Sequence, residues 1–438
     1  MPPAGVFGQR RRGRIAGIPE MALGFEGALV GGMMRRRCVL AGVAAGLSAT
    51  FLPVGRASAS GARLTGYLRT NWSRDPFCHG SYSYTPRGVF RSAHAELAEP
   101  VARRIFFAGE AVNPDYTSTV HAAYESADPA VTAIEQEDHD DIAVIGAGIS
   151  GLRTAQMLSD EGYDVTVYEA RDRIGGRLWT DRSLGLPLDM GASWIHGLEG
   201  NPLVGLADEA GVELIETGDD IVFRLRDGAV LDPDEVPDWL EEVISIQHNA
   251  GARRAEINLA AFLAPRDYGG PEAVLSEGYD RLLPELAGDY DLRTGHVLRQ
   301  VALDGDVRLG FDNGAEARHD AVVLTVPLGV LQQGGIGFVP PLPDRKRNAI
   351  AALGMGVLDK LYLRFDEPFW QDDPTWIVTA DTGLPRGQFN QWLNLMPVLG
   401  EPILLGFNGA DAARALADRD DDALIGAALG VLERAYGL

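Results

Sequence analysis

Lysine is the residue that this sequence most clearly lacks. Of its 39 basic residues, only Lys346 and Lys360 are lysines, and all the others are arginines. A lysine that falls within a functional motif is therefore more informative in this chain than in an average protein.

Cysteine is equally scarce, with Cys38 and Cys78 as the only two. Cys38 lies in a candidate leader, so a mature chain would keep Cys78 alone and could form no internal disulfide, even in an oxidising compartment. No cluster of cysteine and histidine has the spacing of a zinc site, and no Ser-His-Asp arrangement stands out. We therefore predict no metal site.

Basic residues are outnumbered by acidic ones, 39 to 62, which gives a formal net charge of −23. Such a charge argues against nucleic acid or an anionic membrane as a partner. It could concentrate cationic ligands, although an acidic surface is more often simply a soluble one. The length of 438 residues and the 46% hydrophobic content allow two globular domains with substantial cores.

Residues 1–60 resemble a leader. The stretch MMRRR at 33–37 is followed by an uncharged run at 38–54 and by Ala-Ser-Ala at 57–59, the order of a signal peptide and its cleavage site. Adjacent arginines indicate the twin-arginine route. The uncharged run is shorter than the roughly 20 apolar residues of a membrane span. We predict an exported protein, periplasmic or secreted, without stable membrane insertion; a cytoplasmic protein with a disordered tail is the alternative.

The strongest motif lies at residues 142–177. A short apolar strand, Ile142 to Ile145, runs into the turn GAGISG, then a helical pattern from Leu152 to Asp160 and a second strand, Asp164 to Tyr168. Gly146 allows the sharp turn, Gly148 lets the backbone approach a pyrophosphate, and Gly151 lets the helix pack against the strand. The helix N-terminus, which includes Ser150, offers N–H groups to phosphates. Glu169 follows the second strand, where an acid accepts hydrogen bonds from a ribose.

The residues after Glu169 identify a family. Arg171, Arg173, Gly175, Gly176 and Arg177 resemble the second dinucleotide fingerprint of FAD-dependent oxidases, and residues 188–197, LDMGASWIHG, look like the flavin-facing segment of the polyamine oxidases. The chain resembles the flavin amine oxidase family, which includes monoamine oxidases, polyamine oxidases and flavin-dependent histone demethylases. The resemblance covers most of residues 62–438.

The resemblance implies an FAD site, with a small-molecule amine and oxygen as the other partners. Ser81 stands where the monoamine oxidases attach the flavin to a cysteine, so we expect the FAD to be non-covalent. The residues expected to contact the cofactor are Gly146, Gly148, Ser150, Gly151, Glu169, Arg171, Gly176, Arg177, Val297, Gly109, Glu110, Thr119 and Val120.

Four residues are implied as catalytic by the same resemblance. Lys360, in the stretch GMGVLDK, matches the lysine that holds a water against flavin N5; the alternative is a surface lysine. Trp72 and Tyr82 match aromatic positions at the flavin face, although single aromatics are more often core residues. His196 matches the histidine of the substrate channel, with hydrogen bonding of its own loop as an equal alternative. Thr119 replaces the partner aromatic, so a two-ring cage is incomplete.

The order of the motifs is unusual. Residues 64–133 carry motifs that normally stand at the carboxyl end of this family, including the last FAD strand near Arg104 to Ala108 and the helix start near Thr119. We therefore predict a circular permutation that closes within one chain, with a swapped dimer as the alternative. Ala122 and Ala127 replace usual glycines, and Pro129 should break or kink the helix.

The predicted fold class is α/β (α+β overall): a Rossmann-like FAD-binding domain, and a substrate domain built on an antiparallel sheet plus helices. Residues 98–200 and 272–331 are assigned to the FAD domain, and residues 62–97, 201–271 and 332–438 to the substrate domain. The predicted function is amine oxidation by hydride transfer to flavin N5, giving an imine or aldehyde and hydrogen peroxide. The alternatives are an oxidase or desaturase of a non-amine substrate, and a flavin-binding protein with little turnover.

Overall fold

A five-stranded parallel sheet forms the centre of the molecule. The computed structural model describes residues 61–264, 268–370 and 373–438; the predicted leader lies outside the described residues. In spatial order the strands of this sheet are Asp291–Arg293, Asp164–Tyr168, Asp141–Ile145, Ala321–Leu324 and Ile105–Phe107. All four pairings are parallel. The strands Asp141–Ile145 and Ala321–Leu324 are almost wholly buried, as expected for a sheet covered on both faces.

The glycine turn leads directly into the helix Ile149–Asp160. This helix begins three residues earlier than the hydrophobic pattern predicts, because Ile149, Ser150 and Gly151 of the glycine motif form its first turn. It packs against the neighbouring helices Val120–Glu125 and Ala127–Ile134. Those two helices are separated at Ser126, which confirms the predicted interruption. Pro129 then lies in the first turn of the second helix, where it needs no hydrogen-bond partner for its nitrogen.

A six-stranded sheet forms the second large layer. In spatial order its strands are Leu64–Arg69, Leu358–Phe365, Ile403–Gly409, Gln388–Asn394, Trp376–Thr379 and Ile221–Arg224. Neighbours are antiparallel except for the last pair, which is parallel. This one sheet thus contains strands from all three ranges that were assigned to the substrate domain, 62–97, 201–271 and 332–438. The domain boundaries themselves remain predictions, but the α/β (α+β overall) fold class is confirmed.

Smaller sheets and helices complete the described chain. A four-stranded sheet contains Glu316–His319, Asp306–Phe311, Leu298–Asp304 and Gly337–Val339, and a three-stranded sheet contains Trp194–Ile195, Ala273–Leu275 and Leu214–Glu216. The two-stranded pairs are Gly354–Gly356 with Tyr82–Tyr84, and Thr180–Asp181 with Leu188–Asp189. The remaining α-helices are Ser92–Ala98, Pro202–Glu209, Asp238–Glu242, His248–Ala250, Leu259–Leu263, Leu328–Gln333, Asp344–Ala352, Met396–Leu399, Ala410–Leu416 and Asp421–Tyr436; a π-helical turn spans Val243–Gln247, and short 3-10 helices span Trp72–Arg74, Glu110–Val112, Arg226–Gly228, Pro233–Glu235 and Tyr279–Leu286. Within the described ranges, no helix is long and apolar enough to cross a membrane.

The first described segment is built into both large sheets. Leu64–Arg69 is an edge strand beside Leu358–Phe365, and Ile105–Phe107 is an edge strand beside Ala321–Leu324. Side chains tie the first strand to the last helix: the Tyr67 hydroxyl donates to Asp421 at 2.7 Å. The strand expected at Arg104 to Ala108 is therefore present in the sheet of Asp141–Ile145. The permutation itself stays a prediction.

Candidate active site

A single cleft follows the carboxyl edge of the parallel sheet. Each of the five strands is followed within a few residues by a residue that lines the cleft. Those residues are Gly146, Glu169, Val297, Thr325 and Gly109. Open α/β sheets bind ligands at this edge. Tyr82, from the short strand Tyr82–Tyr84, and Ala192 also line the cleft.

Twelve of the thirteen residues expected to contact the cofactor line this cleft. The exception is Gly151, which has the packing role that the sequence predicts for it. A Cβ atom at Gly151 would lie 1.9 Å from the carbonyl oxygen of Gly146, so only glycine lets the helix start so close to the turn. Gly146 has a φ of 106°, which side chains rarely adopt.

Glu169 closes one end of the cleft. Its two carboxylate oxygens accept hydrogen bonds from the main-chain nitrogens of Ala147, at 2.7 Å, and Arg171, at 2.9 Å. These contacts fix the carboxylate against the glycine turn. Val297 lines the same end, directly before the strand Leu298–Asp304. An acid fixed beside a glycine turn fits the ribose of a dinucleotide.

Arg171 is held by an ion pair, with its Nη2 atom 2.7 Å from Asp75 and 3.7 Å from the sulfur of Cys78. Its guanidinium also lies over the Phe77 ring, at 4.9 Å. Burial, followed by the charge of Asp75, raises the pKa of Cys78 to about 12. Cys78 lines the cleft as a neutral thiol, which is the unreactive form.

Arg177 and Glu110 form a second buried ion pair in the cleft wall. The guanidinium of Arg177 donates to the Glu110 carboxylate at 3.0 Å and to the main-chain oxygen of Ser81 at 2.9 Å. Glu110 also accepts from the hydroxyl of Ser83 at 2.6 Å and from the main chain of Ser118 at 3.2 Å. The pair therefore joins the early segment of the chain to the fingerprint region, and both members still border the cleft.

Two helix N-termini face the cleft. The helix Ile149–Asp160 begins beside Gly148 and Ser150, and the Ser150 hydroxyl lies 3.0 Å from that of Ser126. The other helix begins at Val120, and Thr119 caps it by accepting from the main chain of Ala122 at 3.1 Å. Free N–H groups at helix starts attract negative charge. The glycine turn, the fixed acid and these N-termini fit FAD.

Lys360 lies below the segment that contains Ala192. The side chain is 2% exposed, which rules out a surface lysine. Its Nζ atom donates to the main-chain oxygens of Asp189, at 2.7 Å, and Gly191, at 2.6 Å, and to the Ser193 hydroxyl at 2.6 Å. These three acceptors use the three N–H groups of the ammonium ion. To hold a water molecule, Lys360 would have to give up its hydrogen bond to one of these three acceptors.

Burial makes the protonation of Lys360 unusual. Loss of solvent lowers the pKa of Lys360 and raises that of the nearby Asp189 carboxyl. Each group partly opposes the shift of the other through its charge. The Asp189 carboxylate accepts from the Thr180 hydroxyl at 2.6 Å and from the main chain of Tyr279 at 2.9 Å. The lysine and this acid therefore form one buried titrating pair beside the cleft.

The other three residues expected to be catalytic are placed differently from one another. Tyr82 lines the cleft, and its hydroxyl donates to the main-chain oxygen of His248. Trp72 is absent from the residues that line this cleft, and its place at the flavin face stays a prediction. Its main-chain nitrogen donates to Asp359 at 2.8 Å, and its wholly buried ring packs into the core.

His196 is also absent from the cleft lining. Its Nδ1 atom lies 2.6 Å from the Glu272 carboxylate, and its main-chain oxygen accepts from the Asn201 amide at 3.2 Å. The side chain is therefore paired with Glu272, on a distant segment, and both the contact with substrate and the loop-bonding role stay predictions.

Sequence reasoning missed the segment Thr325 to Pro327, which lines the cleft directly after the strand Ala321–Leu324. The Thr325 hydroxyl donates to the main-chain oxygens of Ile145, at 2.8 Å, and Gly146, at 3.2 Å. It thereby holds the glycine turn from the neighbouring strand. The rule that ligands bind at carboxyl ends of parallel strands would have pointed to this segment.

Comparison with known proteins agrees with this geometry. The model of the flavin containing amine oxidoreductase family matches residues 49–134, 149–245 and 247–438. Probable polyamine oxidase 4 from Arabidopsis thaliana is 30% identical over 344 residues, which cover 64% of this chain and 69% of that protein. Polyamine oxidase 2 from the same plant is 31% identical over 354 residues, which cover 67% of this chain and 72% of that protein.

A solved structure of putrescine oxidase bound to putrescine has a TM-score of 0.53 and 20% identity, with 68% of this chain and 81% of that chain covered. This likeness shows the fold. Because the family model matches most of the chain, and because the cleft has the features that FAD requires, the chain belongs to the flavin-containing amine oxidoreductases and is an FAD-dependent enzyme of that family.

Proposed function

We propose that this enzyme oxidises a diamine, polyamine or monoamine at the carbon next to the amino group and reduces oxygen to hydrogen peroxide. The observation that carries the proposal is Lys360, buried under the cleft-lining Ala192 and bonded to the residues on both sides of it. When bound, FAD supplies the two-electron chemistry, accepting the hydride at N5 and passing the electrons to oxygen, while the imine hydrolyses to an aldehyde.

The protein residues orient the substrate and control its protonation. The buried ring of Tyr82 gives the cleft an apolar wall, which favours the neutral amine over the ammonium ion, and only the neutral form gives up a hydride. The ammonium of Lys360, which forms a buried titrating pair with Asp189, could supply a proton during oxygen reduction. The net charge of −23 favours the approach of a cationic substrate.

The test is peroxide release by the purified holoenzyme with putrescine, spermidine, tyramine and lysine. We expect peroxide with at least one amine of the panel, in proportion to the amine consumed. Flavin reduction without peroxide would contradict the oxygen step alone. No flavin reduction by any amine would contradict the proposed function and leave a non-amine substrate, or a flavin protein with little turnover, as the explanation.

Two finer proposals accompany the main one. We propose that FAD is held without a covalent bond, because the buried Ser81 bonds to the main chain of Leu358 and Cys78 is a neutral thiol. We also propose export through the twin-arginine route, on the sequence pattern of residues 33–59. Cell fractionation tests the second point: an enzyme found only in the cytoplasm would contradict it.

A further inference from the structure

His248 is a buried histidine that none of the family motifs includes. Its side chain is wholly buried, and its Nδ1 atom lies 2.7 Å from the amide oxygen Oε1 of Gln391. An amide oxygen only accepts hydrogen bonds, so Nδ1 carries the hydrogen and Nε2 presents a lone pair. Burial also lowers the pKa of His248 to about 4, against the opposing effect of the Gln391 bond. The imidazole is therefore neutral at physiological pH, with Nε2 as a hydrogen-bond acceptor.

Three buried polar atoms at this place have no hydrogen-bond partner among the described residues. They are Nε2 of His248, Nε2 of Gln391 and Nε1 of Trp376. All three residues lie close to Phe407: the centre of its ring is 6.3 Å from the His248 ring and 6.2 Å from the Trp376 ring, and Gln391 is its partner on the adjacent strand. Buried polar groups in proteins are almost always paired. Three unpaired ones around a single ring indicate a binding subsite.

The subsite lies on the side of the six-stranded sheet that carries Lys360. Gln391 and Lys360 are each paired with Phe407 across antiparallel ladders, and paired residues project on the same face. The main-chain oxygen of His248 accepts a hydrogen bond from the hydroxyl of Tyr82, which lines the cleft. The unpaired atoms therefore lie near the Lys360 side of the sheet, and His248 is one hydrogen bond away from a residue that lines the cleft.

Two irregularities of the backbone place these residues. The π-helical turn Val243–Gln247 ends directly before His248, and a bulge shifts the register of the neighbouring strand between Gln388 and Gln391. Both features are frequent at functional sites. Gly409 completes the arrangement, because a Cβ atom there would lie 2.8 Å from Cδ2 of His248.

We propose that His248 and Gln391 bind the neutral amino group of the substrate. His248 Nε2 accepts an N–H of the amine, and the Gln391 amide donates to its lone pair. An ammonium ion would offer N–H groups but no lone pair for Gln391, so the subsite selects the form of the substrate that gives up a hydride. This inference rests on the proposed function, since it names the residues that recognise the amine.

The experiment compares His248→Phe, Gln391→Leu and a control, Trp392→Phe. Trp392 is next to Gln391 on the same strand, faces the opposite side, and also donates a buried hydrogen bond, to Phe389 at 3.0 Å. Each holoenzyme is mixed anaerobically with putrescine or spermidine in a stopped-flow instrument. The dependence of flavin reduction on amine concentration gives the Kd of the amine separately from the limiting rate, and FAD content and thermal unfolding are measured in parallel.

We expect His248→Phe and Gln391→Leu each to raise the amine Kd about 2- to 10-fold, the effect of one net hydrogen bond. In the double variant the Kd of the amine should rise by less than the product of the two single increases, because both residues bind the same nitrogen. Trp392→Phe should leave the Kd unchanged while lowering the thermal stability. If His248→Phe fails to retain FAD, Gln391→Leu decides the question by the same measurement.

The two ways of failing are distinct. A wild-type flavin that no amine reduces overturns the proposed function. A wild-type flavin that is reduced, together with an unchanged Kd in Gln391→Leu and in any His248→Phe that binds FAD, overturns only this inference and shows that the unpaired atoms bind no more than an internal water.

Discussion

Replacing Lys360 with methionine tests the central residue of the site against a matched control. The chain has one other lysine, Lys346, which is equally buried and donates to three main-chain oxygens at the end of the helix Ser92–Ala98. Each substitution removes three hydrogen bonds of about 1 kcal/mol net. It also removes an ammonium ion that is costly to bury, which offsets part of that loss. We therefore expect both variants to lose about 1 to 3 kcal/mol in the free energy of unfolding.

The two variants should differ only in flavin chemistry. If Lys360 supplies a proton during oxygen reduction, Lys360→Met slows reoxidation of the reduced flavin by about 10² to 10⁴-fold, with a much smaller change in FAD affinity. Lys346→Met should reoxidise at the wild-type rate. The measurement is stopped-flow mixing of the reduced holoenzymes with oxygen, alongside FAD titration. Equal reoxidation rates in both variants would refute the reasoning and leave Lys360 as a structural support for residues 189–193.

Three further predictions follow from particular contacts. Acid precipitation should leave the yellow colour in solution, because Ser81 offers no thiol; colour in the pellet would show covalent attachment. Moving residues 62–134 behind Leu438 should give a monomer that binds FAD as the wild type does, whereas a folded wild type found only as a dimer would favour the swapped arrangement. The pKa of Asp359 is raised to about 7 by burial, so its contribution to stability is present below about pH 4 and is lost as the pH rises to about 7. Asp359→Asn keeps the acceptor for Trp72 and should gain stability relative to wild type across that window in urea titrations; parallel curves would contradict this.

The cleft could be predicted from sequence because local features determine it. The glycine turn at Gly146 and the acid at Glu169 lie within one strand-helix-strand unit. Their spacing in the sequence predicts that unit, because it forms from neighbouring segments of the chain. The family motif around Glu110 extended the prediction to an early segment. Thr325 was missed because its role depends on which strand lies next to Asp141–Ile145, and the hydrophobic pattern does not specify the strand order.

The roles of single side chains were harder to predict. The motif identifies Lys360, but its three acceptors lie on residues 189–193, which are far from it in sequence and meet it only in the folded chain. The position of Trp72 depends on a similar distant contact: its main-chain nitrogen donates to Asp359, on the strand Leu358–Phe365, and its ring packs into the core. No short motif contains both His248 and Gln391. One lies in a helix and the other in a strand, 143 positions apart, and no local sequence pattern predicts a hydrogen bond between residues so distant in the chain.

Both lysines of the chain are buried, and this affects how the folded protein meets electrophiles. Aldehydes modify proteins chiefly at exposed ε-amino groups, and neither Lys346 nor Lys360 is more than 2% exposed. If the enzyme releases an aldehyde, its own surface therefore offers no lysine for Schiff-base formation or crosslinking. The basic side chains at the surface are arginines instead of lysines. The same property means that lysine-directed labels and aldehyde fixatives should leave the folded enzyme almost unmodified.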